Sequence, residues 1–92
     1  MYTLIPLKKY QKQLKKSLRS GHHDIKKLRN LTQMLREEIP LPEMCRDHKL
    51  LGKYIGQREC HVEPDWLLIY KVYEEEKIIE LCEIGTHSEF FH

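Results

Sequence analysis

The motif Pro40-Leu41-Pro42 divides this chain into two parts whose apolar residues recur with different periods. Proline breaks helical hydrogen bonding and disfavours the helical conformation of the residue before it, so it ends a helix firmly. Before the motif, apolar residues recur at helical spacing among polar ones. The first stripe is Tyr10, Leu14 and Leu18, and the second is Ile25, Leu28, Leu31, Leu35 and Ile39. With Ser20-Gly21 ending the first helix and Asp24 capping the second, this part predicts a helical hairpin.

After the proline motif the sequence favours strands. Residues 66–73 are aromatic and β-branched and are apolar on both alternating faces, which favours a central strand covered on both sides. Residues 3–7 contain Pro6, which suits an edge strand because proline cannot donate to a central ladder. The other predicted segments are a loop over 43–52, a strand over 53–61 kinked at Gly56, a returning strand over 77–84 and a tail over 86–92. We therefore predict a single α+β domain, residues 1–92, in which an N-terminal strand and a helical hairpin pack on a small antiparallel β-sheet.

Length and composition exclude several classes of protein. A chain of 92 residues has room for one core but not for a deep enclosed cavity. No apolar run reaches the roughly 18–20 residues needed to cross a bilayer, and the N-terminus lacks the basic-then-apolar order of a signal peptide. Three widely spaced cysteines without a Cys-x-x-Cys pair suggest neither a disulfide framework nor a zinc knuckle. Cys60 precedes His61, but neighbours on a strand point to opposite faces, so we expect no thiol–imidazole pair. We expect a cytoplasmic protein that does not contact the membrane.

The two parts also differ in charge, although the whole chain has a net charge of only +2. Residues 1–36 carry ten Lys and Arg side chains against one acid, Asp24, which gives +9. Residues 37–92 carry six basic and thirteen acidic side chains, which gives −7. A strongly basic helical part attracts a polyanion such as RNA, or an acidic protein partner. Lysine-rich faces of surface helices are also often only solvated, so charge alone leaves both interpretations open.

Three of the six histidines, His48, His61 and His87, lie in loops or at the ends of predicted strands, where sites are commonly built. Antiparallel pairing of the last two strands brings His87 toward Asp65, and a short turn joins Asp65 to His61. Histidine exchanges protons near neutral pH, so several imidazoles beside a carboxylate suit general acid–base catalysis. One end of the sheet is therefore predicted to carry His61, Asp65 and His87, with His48 on the adjacent loop.

A group of acids and bases without a seryl or cysteinyl nucleophile suits cleavage of RNA, whose own 2′-hydroxyl attacks the phosphate. Such an enzyme needs a base for the hydroxyl, a cation for the phosphorane and an acid for the leaving 5′-oxygen. Aromatic side chains that hold an unstacked base would complete the site, with Trp66, Phe90 and Phe91 as candidates. Alternatively, the histidines lie only at the surface and the aromatic residues pack the core. A zinc site of histidines and Asp65 is a further alternative, although close ligand spacing is missing.

Residues 46–52 (RDHKLLG), 58–70 (RECHVEPDWLLIY) and 85–91 (GTHSEFF) carry a family pattern in their order and spacing. They closely resemble the YafQ branch of the RelE/ParE toxin superfamily, and the helix-helix-then-strands order extends the resemblance to the whole chain. The resemblance implies a bacterial type II toxin, a small ribosome-dependent endoribonuclease that enters the A site and cuts mRNA there. It also implies neutralisation by a cognate antitoxin of the DinJ type, and neither a metal nor another cofactor is expected.

The resemblance also implies roles for particular residues. The positions that match the catalytic set of the family are His48, His61, Asp65 and His87. The first two histidines would stabilise and orient the phosphate, while Asp65 and His87 would transfer protons. Trp66 and Phe91 match residues that shape the site around the mRNA. The residues that would dock on 16S ribosomal RNA through phosphate contacts are Lys8, Lys12, Lys15, Lys16, Lys26 and Lys27.

One position departs from the family pattern. Relatives carry an arginine four residues before the last histidine, where this chain has Glu83, so a cation for the phosphorane is missing. Arg58, Arg46 or a protonated histidine would replace that cation, or else activity is reduced. Glu83 motivates one alternative, a catalytically weak ribosome or RNA binder that still pairs with an antitoxin. Two further alternatives are a gyrase-directed inhibitor on the same fold, whose branch lacks the histidine set, and a metal enzyme.

Overall fold

A computed structural model, which describes residues 1–91, shows a five-stranded sheet with two long helices on one face. The strands are β1 (Thr3–Pro6), β2 (His48–Lys49), β3 (Arg58–Glu63), β4 (Trp66–Tyr73) and β5 (Ile78–Gly85). The helices are α1 (Lys8–Arg19), α2 (Ile25–Arg36) and the short α3 (His87–Phe90). Two 3-10 turns, Glu43–Cys45 and Gly52–Tyr54, shape the connection from α2 to β3. Within the described residues, no helix is long and apolar enough to cross a membrane.

The strand order β1-β5-β4-β3-β2 confirms the predicted α+β class and the edge position of β1. Strands β2 to β5 pair antiparallel, and Leu67 lies opposite Gly85 in the hairpin of β4 and β5. β1 instead runs parallel to β5, with Leu4 beside Ile79, so the sheet is mixed and not wholly antiparallel as predicted. The meander of β3, β4 and β5 leaves one edge of β5 open, and β1 occupies it. Such a parallel pair requires a long connection, which the rest of the chain provides.

The helical hairpin forms as predicted, with two differences at its apolar stripes. Asp24 caps α2, because its Oδ1 accepts a hydrogen bond from a backbone N–H two residues later at 2.9 Å. In α1, Leu18 is 41% exposed and Ser17 faces the core in its place. α2 ends at Arg36, before Ile39, because Glu38 adopts a left-handed φ of 60° that a helix cannot continue.

Two apolar clusters cover the two faces of β4, as its sequence predicted. The cluster beneath the helices contains Tyr10, Leu28, Leu31, Cys60, Trp66, Leu68, Tyr70, Ile79, Leu81 and Ile84. The smaller cluster on the other face contains Leu67, Ile69 and Phe90, with Leu50, Tyr54 and Cys82 packed against them. The strand predicted over 53–61 begins only at Arg58, because a 3-10 turn and a φ of 90° at Gly56 occupy the preceding residues.

Candidate active site

β3 sends successive side chains to opposite faces of the sheet, and this alternation builds the first part of the site. Cys60 packs in the helix-covered core, so Glu59 and His61 point to the other face. β2 pairs His48 opposite Glu59, which puts His48 on the same face. Three ionisable side chains from two strands therefore lie together, and we call them, with His87, the histidine row.

Backbone carbonyls fix the orientation of two imidazoles in the histidine row. The Nδ1–H of His48 donates to the carbonyl of Arg46, and the Nδ1–H of His61 donates to the carbonyl of Pro64 at 3.2 Å. Each ring therefore turns its Nε2 inward, and both Nε2 atoms lie 3.7 Å from Oε1 of Glu59. In their protonated forms, both rings would form ion pairs with this single carboxylate.

Glu59 is the site residue that the sequence analysis missed. It is only 4% exposed, and its Oε2 is buried without a hydrogen-bond partner among residues 1–91. A buried carboxylate oxygen without a partner is costly, so such groups are found where function requires them. A signal was present in the sequence, because Glu59 and His61 are two residues apart on one strand and must share a face.

Asp65 holds His87 in place from the adjacent turn. Its Oδ1 accepts hydrogen bonds from the backbone N–H of His87 at 2.9 Å and from Nδ1 of the ring at 3.2 Å. The backbone hydrogen bond from His87 lowers the pKa of Asp65, and the ring adds to the effect. Asp65 therefore stays ionised at neutral pH, which suits orientation of His87 and not donation of a proton. The predicted meeting of Asp65 and His87 is confirmed.

The short helix α3 presents His87 and Phe91 beside the sheet. Thr86 and Glu89 form a reciprocal capping box at its start. The helix folds back closely over Gly85, where an added Cβ would lie 2.9 Å from Oε1 of Glu89. The ring of His87 then lies 5.6 Å from that of His61 and 6.1 Å from that of Phe91. Phe91 is 48% exposed, so its ring is accessible to an unstacked base.

The inward atoms of the histidine row are close enough to share one substrate group. One ligand atom each from Glu59, His61 and His87 lies within 4.8 Å of the others. This spacing can hold a divalent cation, and it equally places proton donors and acceptors around one phosphate. Burial raises the pKa of the Cys60 thiol far above its usual range, and Cys60 lies on the other face, so the expected absence of a thiol–imidazole pair agrees with the fold.

Two predicted substrate contacts are corrected by the structure. Trp66 is fully buried, its Nε1–H donates to Oγ of Ser17 at 3.1 Å, and the ring of His23 stacks on it at 4.5 Å. Trp66 therefore supports the site from within the core and cannot stack on a base. Arg58 points to the helix-covered face, where its Nη2 lies 3.1 Å from Oδ2 of Asp47. It does not reach the histidine row, because strand alternation turns it away from Glu59 and His61.

The missing family arginine raises two points, which are whether another arginine lies near the site and how the charge of Glu83 is balanced. Arg46 lines a groove that also reaches His61 and His87, so it is the better placed of the two predicted arginines. Glu83 is 8% exposed, and its Oε1 lies 3.1 Å from Nζ of Lys9. The amide of Gln13 also donates to this carboxylate at 3.3 Å. The negative charge is therefore compensated within the fold.

The lysines predicted to contact ribosomal RNA are all exposed on the helical hairpin. These residues are Lys8, Lys12, Lys15 and Lys16 on α1 and Lys26 and Lys27 on α2. Lys16 also pairs with Glu89 of α3 at 3.1 Å.

Comparison with known proteins identifies the family. Residues 2–92 match the model of the bacterial toxin of type II toxin-antitoxin systems, YafQ. The chain belongs to the YafQ toxin family. It is 42% identical over 71 residues to the mRNA interferase toxin YafQ of Escherichia coli K12, covering 76% of this chain and 75% of that one. The predicted family is thus confirmed.

Solved structures of similar proteins share the fold over the whole chain. The structure of the DinJ–YafQ complex of E. coli matches with a TM-score of 0.86 and 33% identity, covering 100% of both chains. A metal-bound toxin from Helicobacter pylori matches with a TM-score of 0.88 and 38% identity, covering 99% of this chain and 100% of that one. The overall fold of this chain is therefore shared with both structures.

Proposed function

We propose that this YafQ-family toxin is a ribosome-dependent endoribonuclease that cuts mRNA in the A site, with the 2′-hydroxyl of the substrate as nucleophile. The observation that carries the proposal is the approach of Glu59, His61 and His87 to within 4.8 Å, with both imidazoles oriented by hydrogen bonds. Cleavage of a phosphodiester by its own 2′-hydroxyl needs such a set of proton donors and acceptors and no protein nucleophile. The name mRNA interferase, given to the E. coli relative, agrees with this chemistry.

His87 acts as the general acid. Asp65 holds Nδ1, so Nε2 of the ring faces the site, and the carboxylate stabilises the imidazolium by its charge. The ring is about half exposed, which leaves Nε2 accessible to a leaving 5′-oxygen. A positioned general acid typically contributes about 10²–10⁴ in rate.

His48 acts as the general base. Its Nδ1–H is bound to the carbonyl of Arg46, so Nε2 of the neutral ring is the proton acceptor. When Nε2 takes the proton of the 2′-hydroxyl, the new imidazolium pairs with Glu59. The 2′-oxygen then bonds to phosphorus, the bond to the 5′-oxygen breaks, and that oxygen takes the proton of His87. The products are a 2′,3′-cyclic phosphate and a 5′-hydroxyl end.

Two cations replace the family arginine in this proposal. His61, when it is protonated, pairs with Glu59 in the centre of the histidine row, and Arg46 lies in the groove beside it. A fixed cation next to the phosphate stabilises the charge that develops on the phosphorane. Glu83 does not oppose this, because Lys9 and Gln13 compensate its charge. This pairing favours an active enzyme over a catalytically weak binder.

The partners follow from the charged helices and from the relatives. The exposed lysines of α1 and α2 form a basic surface that suits the phosphates of 16S ribosomal RNA, which would restrict the toxin to the cytoplasm where ribosomes are. Since the E. coli relative is found in a DinJ–YafQ complex, we infer that a DinJ-like antitoxin neutralises this chain.

Purified protein incubated with programmed 70S ribosomes and a labelled mRNA tests the proposal. We expect a cut in the A-site codon that leaves a 5′-hydroxyl end, no cut in free RNA, and no cut with His87→Ala. His22→Ala is the matched control, because His22 is an exposed histidine in the turn between α1 and α2 and is not a member of the histidine row. Ribosome binding without any cut would favour the weak binder instead.

A chelator separates this chemistry from that of a metal enzyme. Acid–base cleavage continues in EDTA, whereas a metal-dependent nuclease would stop. Added Zn²⁺ or Cu²⁺ should inhibit, because Glu59, His61 and His87 can bind the cation through the atoms that the reaction uses. The metal-bound H. pylori relative makes this inhibition worth measuring. Loss of cutting in EDTA with recovery on adding metal would contradict the proposed mechanism.

A further inference from the structure

A groove of about 610 Å³ opens beside the histidine row, between α2, residues 41–46 and β3. His61 and His87 line one end of it, so the groove and the reaction centre form one continuous surface. Its volume lies within the range of about 300–1,000 Å³ that is typical of sites for small organic ligands. The proposed mechanism uses this end and Arg46, and it leaves the rest of the groove without a role.

Apolar side chains and one amide form much of the wall of this groove. The apolar members include Leu31 and Met34 of α2 and Leu41 and Met44 of the facing segment. Met44 is 82% exposed, and methionine adapts its shape to a flat partner. Asn30 adds an amide that can both donate and accept, and it forms no hydrogen bond with another side chain or backbone group in residues 1–91. Apolar contact combined with one such amide suits a nucleobase.

The charges of the groove suit a phosphate. Lys27 and Arg46 both line it, and neither forms an ion pair with a carboxylate within the described part of the chain. The one acid on the wall, Glu63, is already bound by Nδ1 of His23 at 2.8 Å and by the backbone N–H of Asp24 at 3.1 Å. The groove therefore has two cations available for a ligand, and its one carboxylate already has hydrogen-bond partners.

Arg46 connects the groove to the reaction centre. It has a left-handed φ of 49°, a conformation that a residue with a side chain adopts at a cost and that is often found at functional sites. This backbone turns the carbonyl of Arg46 to His48 and the side chain to the groove. Arg46 thereby places a ligand bound in the groove next to His48, the proposed general base.

From these observations we infer that the groove binds the mRNA nucleotide next to the scissile phosphate and sets which base is accepted there. The base lies against Met34 and Met44 with its edge read by Asn30, while Lys27 holds the flanking phosphate. This inference rests on the proposed function, because it assigns the groove to the substrate of the same reaction. Bases of single-stranded RNA are commonly recognised when they are splayed out into such grooves.

The test is cleavage of an mRNA pool whose A-site codon and flanking bases are randomised, read by sequencing the cut ends. We expect Asn30→Ala and Met44→Ala to weaken the preference at one position next to the cut by about tenfold, within the range of a single base contact. Leu51→Ala is the matched control, since Leu51 is also 82% exposed but lies outside the groove. It should leave the sequence preference as in the wild type.

Two variants of α2 separate groove contacts from a general loss of positive charge. Lys27→Met and Arg29→Met both remove a charge from an exposed residue of α2, but only Lys27 lines the groove. With toxin already bound to the ribosome, Lys27→Met should slow single-turnover cutting while Arg29→Met should not. An unchanged preference in the Asn30 and Met44 variants, or equal single-turnover rates in the Lys27 and Arg29 variants, would overturn the inference while wild-type cutting upheld the proposed function. If the wild type does not cut on the ribosome, the proposed function fails first.

Discussion

The two faces of β3 carry polar clusters of similar composition that are completed to different degrees. On the helix-covered face, Arg58 binds Asp47 through Nε and Nη2 at 3.3 and 3.1 Å, and the hydroxyl of Tyr70 donates to the same carboxylate. On the other face, Glu59 lies 3.7 Å from each of two imidazoles, too far for a hydrogen bond, and one of its oxygens has no partner among residues 1–91. The first cluster is saturated, whereas the second has capacity for a further ligand.

This difference separates a structural charge from a functional one. Hydrogen bonds from Arg58 and Tyr70 offset the cost of partly burying Asp47, so that cluster contributes to stability. The cost of burying the Glu59 carboxylate is not offset by hydrogen bonds within residues 1–91. A phosphate bound by the imidazoles would bring a second negative charge close to this carboxylate. Substitutions in the two clusters should therefore affect different measurements.

The largest effect is expected for Glu59→Gln. The substitution keeps the shape of the side chain but removes the charge that would pair with a protonated His61 and with the imidazolium formed on His48 during the reaction, so cleavage on the ribosome should fall about 10²–10³-fold. The thermal midpoint should stay the same or rise, because a buried charge without full compensation is removed. Cleavage rate and Tm are measured on the same preparation. If the variant loses stability but keeps its cleavage rate, Glu59 has a structural role and not a functional one.

Asp65→Asn should reduce the rate by a smaller factor, about tenfold. Asparagine can still accept the backbone N–H of His87, so the substitution removes mainly the charge beside the imidazole. In the double variant with His87→Ala, Asp65→Asn should cause no loss beyond that of His87→Ala. A further loss in the double variant would mean that Asp65 acts independently of His87.

The lowered pKa of Asp65 also gives a stability prediction with a definite sign. A carboxyl whose pKa falls on folding stabilises the fold above its unfolded pKa, and this contribution is lost as the pH falls through the lower folded value. Wild type and Asp65→Asn should therefore differ most in stability at neutral pH and converge in strong acid. Unfolding curves at several pH values below about 5 test this, since the ordinary pKa is 3.8.

Local patterns in the sequence predict much of the fold, and the remainder depends on pairings between distant segments. Strand β4 forms over Trp66–Tyr73 as expected, because its apolar residues on both faces require burial on both sides. The hairpin of β4 and β5 also brings Asp65 to His87 as expected. The parallel placement of β1 was not predictable from its own residues, because it depends on which sheet edge the other strands leave open.

The candidate site likewise combines features that local sequence patterns predict with features that depend on the pairing of distant segments. Alternation along β3 was sufficient to place Glu59 beside His61 and to turn Arg58 away from them, although Arg58 was predicted to replace the missing family arginine. The approach of His48 to Glu59 depends on the pairing of β2 with β3 across a loop that contains a 3-10 turn. No periodicity in residues 48–58 encodes that pairing, so only the structure establishes it.

Asp47→Asn should affect stability and leave catalysis nearly unchanged. The substitution removes the charge that accepts hydrogen bonds from Arg58 and Tyr70, and such charge-assisted bonds contribute about 1.5–3 kcal/mol to the free energy of unfolding. In a domain of this size, each kcal/mol lowers Tm by about 4–8 °C. Below the new midpoint, cleavage per folded molecule should match the wild type. A large loss of cleavage without a change in Tm would show that this cluster also serves the reaction.

The smallest effect is expected for Trp66→Phe, which tests whether this residue acts only from within the core. Phenylalanine keeps an aromatic ring against His23 but removes the Nε1–H that donates to Ser17, so the free energy of unfolding should fall by about 1 kcal/mol. Because Trp66 is fully buried, the randomised-codon assay should return the wild-type sequence preference. A base that stacked on Trp66 would instead lose its discrimination at one position while stability changed little. The two measurements together decide between the roles. Loss of a core contact changes only the free energy of unfolding, whereas loss of a substrate contact changes only the sequence preference.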